Sequence, residues 1–113
     1  MSTQSVSPDT LPNSVPKLDP RGENWAIFKI CFQNAMEVKE KWTHFDTKNT
    51  RPTDKVLAEE WDKDERMAKY MLTQRLPDST IIRVQKFTTV AMQWEVIVKE
   101  YTEKGESVQT EMR

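Results

Sequence analysis

The sequence predicts an all-α protein, a small open helical bundle of about four helices with a disordered N-terminal arm. Three observations carry this expectation. Apolar residues recur at helical spacing in three long segments. Only two glycines serve 113 residues, too few for a string of tight hairpins. Prolines 8, 12, 16 and 20 are crowded into one end of the chain.

A chain of this length makes one small domain. Its mean hydropathy of −0.77 leaves a thin core, in which four Trp and four Phe must carry much of the burial. Composition divides the chain into residues 1–20, MSTQSVSPDTLPNSVPKLDP, read as a disordered or extended arm, and residues 21–113, read as the helical domain.

The helical part opens with the turn Asp19-Pro20-Arg21-Gly22, after which Asn24 is placed to cap a helix over 25–41. Trp25, Phe28, Phe32, Ala35 or Met36, and Lys39 follow the helical period, with Ile27, Cys31 and Val38 widening the stripe, so this helix is expected to be largely buried. A loop through Asp46, Asn49 and Pro52 leads to Thr53 or Asp54, either of which suits the cap of a second helix over 54–75. Its apolar line is read as Leu57, Trp61, Asp64, Ala68, Leu72 and Arg75. Its other face offers Glu59 with Lys63, Asp62 with Arg66 and Glu65 with Lys69, acid-before-base pairs that support a solvated helix.

Pro77 ends that helix, and Asp78 or Ser79 starts a short one over 79–86. Thr88 or Thr89 caps a fourth over 89–103, with Val90, Trp94, Ile97, Val98 and Tyr101 on one face and Gly105 as its expected left-handed cap. Ser107 then begins barely one more turn. The sequence therefore predicts a domain truncated at its C-terminus, whose face around Trp94, Ile97 and Tyr101 is left partly uncovered.

Charge excludes some functions. Seventeen Lys and Arg against eighteen Asp and Glu give a net charge of −1, with no field to concentrate nucleic acid or anionic lipid. One cysteine makes neither an internal disulfide nor a cysteine-rich metal site, which fits a reducing, cytoplasmic setting. No apolar run reaches the length of a membrane span, and two glycines build neither a phosphate loop nor a nucleophile elbow.

The chemical inventory is short. His44 is the only imidazole, without ligand spacing around it, and reads as structural or solvated. Cys31 lies among apolar residues with no base at a recognisable spacing, and reads as a small hydrophobe. The acidic run from Glu59 to Glu65 is matched by Lys and Arg and reads as a solvated face rather than a cation site. The four tryptophans fall on or beside helix stripes, as core rather than base-stacking residues. Arg83 and Lys86 are weak candidates for phosphate contact. No catalytic, cofactor-binding or metal-binding residue emerges.

The order of three segments resembles the N-terminal, capsid-like region of Gag polyproteins from copia-type long-terminal-repeat retrotransposons. LDPRGENWAIFKICFQNAMEVKEKW supplies Leu18, Gly22, Asn24 and Trp25 at the family's leader turn and Asn-aromatic helix start. EEWDKDERMAKYMLTQRL supplies Trp61, Asp64, Ala68 and Leu76. FTTVAMQWEVIVKEYTEKG supplies Thr89, Ala91, Trp94 and Tyr101, with Val90 interrupting the family's Thr-Ala step. The resemblance covers roughly residues 18–113. The zinc knuckle and the Asp-Ser/Thr-Gly of such polyproteins are not in this sequence, where Asp78-Ser79-Thr80 lacks the glycine.

The resemblance implies a non-enzymatic structural protein of virus-like particles. It would act by self-association or by binding a protein partner, with RNA held only weakly or through other parts of a polyprotein, and with no membrane, cofactor or small-molecule substrate. The alternative is a host adaptor or regulatory module derived from a Gag fragment. In either case Trp25, Phe28, Phe32, Trp61, Leu72, Trp94, Ile97 and Tyr101 are the expected core or interface residues.

Overall fold

The computed structural model describes the backbone of residues 10–111 and the side chains of residues 10–105. It contains α1 (Trp25–Val38), a single 3-10 turn (Trp42–Phe45), α2 (Lys55–Thr73), α3 (Asp78–Val84) and α4 (Val90–Glu111). The described residues hold four α-helices and no strand, and the protein is all-α.

The core is a chain of aromatic rings centred on Trp94. Its indole lies 5.3 Å from Phe32, 5.9 Å from Trp25, and 5.7 Å from both Trp42 and Phe45. Trp25 continues the chain to Tyr101 at 5.5 Å. Such offset and edge-on pairs fill a small interior with few residues, which is how a chain of low mean hydropathy closes a core. Trp94, Ile97 and Tyr101 are buried. The partly uncovered face expected around them is thus corrected: α1, the 3-10 turn and α3 cover it, and the Tyr101 hydroxyl is satisfied by Thr80 Oγ1 at 2.7 Å.

The N-terminal arm expected over residues 1–20 extends in part beyond the described residues, which begin at Thr10. From there the segment is laid into the core. Leu11, Val15 and Leu18 are buried beside α2 and its exit. Backbone groups anchor them: Leu18 N–H donates to the Arg75 carbonyl at 2.8 Å, and Leu11 N–H to Gln74 Oε1 at 3.2 Å. The Arg75 guanidinium returns Nε to the Val15 carbonyl at 2.9 Å. Pro12 and Pro20 suit the turns on this path, since Val15 N–H donates to the Pro12 carbonyl at 3.1 Å and Pro20 lies inside the turn that Gly22 N–H closes on the Asp19 carbonyl.

The chain enters α1 through the expected turn. Gly22 N–H donates to the Asp19 carbonyl at 2.8 Å, and Gly22 has φ +79°, with Tyr101 and Lys104 so near that a Cβ would stand 3.3 Å from each. Asn24 does not cap with its side chain. It staples the turn instead, accepting from Asp19 N–H at 2.9 Å and donating to the Lys17 carbonyl at 2.8 Å. Asp54 does cap α2, accepting from Leu57 N–H at 3.0 Å.

Four expectations along the helices are corrected. The buried line of α2 is Ala58, Glu65, Ala68, Met71 and Leu72, so Leu57, at 54% exposure, faces outward. The three i, i+4 pairs of α2 form no ion pair, because Asp62 takes Arg51 and Glu65 turns inward. The buried stripe of α1 is narrower than expected, since Ile27 and Val38, read as widening it, are exposed. Gly105 and Ser107 are interior to α4, which continues to Glu111. One helical glycine costs only about 1 kcal/mol, and the turn before it is tied down by Lys104, bonded to the Pro20 carbonyl at 2.7 Å and to Glu100 at 3.1 Å.

Candidate functional site

The polar chemistry of the fold gathers where the 3-10 turn, α2 and the start of α4 meet. The loop after α1 closes with Glu40 at φ 62°, and the turn it enters drives His44 and Phe45 inward. His44 Nδ1 lies 2.8 Å from Glu65 Oε1, and both side chains are under a tenth exposed. Glu65 Oε2 accepts the Val90 N–H at 2.7 Å. One carboxylate therefore satisfies an imidazole and the first amide of α4, which has no partner within its own helix.

Trp61 closes this junction from outside. Its ring lies 5.0 Å from that of His44, and its Nε1–H donates to Asn49 Oδ1 at 2.9 Å. A groove of about 350 Å³ opens beyond it, lined by Asn49, Arg51, Trp61, Thr89, Ala91 and Met92. At the rim Arg51 forks onto Asp62 through two bonds of 2.9 Å. Those hydrogen bonds, and then the guanidinium charge, hold the Asp62 carboxyl below the usual carboxylate range, while the carboxylate raises Arg51 in turn.

An imidazole beside a carboxylate is the arrangement of a general base and its orienting partner. Here the second carboxylate oxygen is spent on a backbone amide and the pair is sealed beneath Trp61, with no hydroxyl or thiol in hydrogen-bond contact. Its chemical work is to lock three elements together. Cys31 is half-buried on α1, and no group of three His, Cys, Asp or Glu among the described residues has the arrangement of a metal site. Gln93 Oε1 is a buried atom without a hydrogen-bond partner, and Gln93 does not line the groove beside Trp61.

The sequence-predicted residues are distributed as follows. Trp25, Phe28, Phe32, Leu72, Trp94, Ile97 and Tyr101 lie in the core, and Trp61 is partly exposed at the junction. Arg83 and Lys86 do not converge on a phosphate-sized site. The Arg83 guanidinium forks onto Glu100 and reaches Thr80 Oγ1 at 3.3 Å, while the Lys86 ammonium sits 5.4 Å over the Phe87 ring. Sequence reasoning missed the Glu65 junction. Its signal was present, because Glu65 stands at i, i+3 and i+7 with Ala68 and Leu72, on the apolar line rather than opposite it.

No helix among the described residues is long and apolar enough to cross a membrane. Comparison with protein-family models, with curated proteins and with solved structures finds no match to this chain.

Proposed function

We propose that this chain is a non-enzymatic, self-associating structural domain acting in the cytoplasm, of the kind that the resemblance to copia-type retrotransposon Gag implies. The observation that carries the reading is on α1: Ile27, Ile30 and Val38 stand 53, 57 and 84% exposed on a helix whose opposite face already fills the core. Exposed apolar side chains gathered on one element mark a contact surface. The polar groups support the same reading, since His44, Glu65, Arg51, Asp62, Arg83 and Glu100 are each engaged within the fold.

A shell-forming domain gains mass with concentration, whereas an adaptor stays monomeric until its partner is added. Sedimentation across a concentration series tests this directly. The expected result is reversible self-association at near-physiological salt. A chain that remains monomeric throughout overturns the reading. RNA affinity, with a net charge of −1, is expected to be weak and to vanish as salt rises toward physiological strength.

A further inference from the structure

We draw no further inference here: the strongest candidate, the groove between the loop at Asn49 and Arg51, Trp61 of α2 and Met92 at the start of α4, carries nothing, because Asn49 and Arg51 are already bonded within the chain and nothing in the structure shows what covers it.

Discussion

Glu65 Oε2 accepts the Val90 backbone N–H at 2.7 Å, so the middle of α2 supplies the cap for the start of α4, 25 residues further along the chain. With His44 on its other oxygen, this carboxylate ties the 3-10 turn, α2 and α4 at one point. Glu65→Ala leaves a buried imidazole and a buried amide unpaired, and is expected to destabilise the fold by about 3 kcal/mol. Glu65→Gln keeps an oxygen for Val90 and is expected to cost less. Urea unfolding of the three proteins measures both. Equal stability of wild type and Glu65→Ala would show that water satisfies the junction equally well.

The segment before α1 is expected to behave as part of the core. Leu18 is 1% exposed, and its N–H is held by Arg75. Leu18→Ala is expected to lower stability by about 2 to 5 kcal/mol. A loss below about 0.5 kcal/mol, typical of a surface position, would place this residue outside the cooperative unit.

Trp94 touches four aromatic rings from α1 and the 3-10 turn. Trp94→Ala is expected to cost about 3 to 5 kcal/mol, and to do so in the monomer, at any chain concentration. Thermal melts at two widely separated concentrations check this. A mutant that keeps the wild-type melt and loses only association would move Trp94 from the core to an interface.

Stability is expected to fall in acid partly through Asp62. Its carboxyl is held low by Arg51, so the fork stabilises the fold above the ordinary aspartate pKa, and that contribution is lost as pH falls through the lowered folded value. Asp62→Asn should therefore melt below wild type at neutral pH, with the gap closing in acid. The pair is exposed, so the gap should be small and should shrink further in high salt. A gap that widens in acid would contradict the assignment.

Much of the architecture was legible in the sequence because it depends on local physics. Periodicity placed every helix start and the ends of α1, α2 and α3 within a few residues, but not the end of α4, which runs through Gly105 to Glu111: Pro77 follows the end of α2, Asp54 caps its start, and Trp25, Phe28 and Phe32 mark the inner face of α1. The same reasoning put the α2 stripe through Leu57 instead of Ala58, because a helix with ambiguous apolar positions admits more than one line, and only its neighbours choose among them. Glu65 shows the limit most clearly. As a carboxylate followed by Lys69 it reads as solvated, and its partners come from residues 44 and 90, which no local window contains.

By itself the sequence determined an all-α chain of four helices with an aromatic core, since spacing, caps and breakers act within a few residues of one another. Only the tertiary structure decided that Leu11, Val15 and Leu18 join that core. Their burial requires the surface that α2 and its exit provide at Gln74 and Arg75. It also decided that Ile27, Ile30 and Val38 face outward. An apolar side chain states a preference for burial, but which of two apolar faces of one helix is buried depends on where Trp94 and its neighbours lie, and that is settled only when the helices pack.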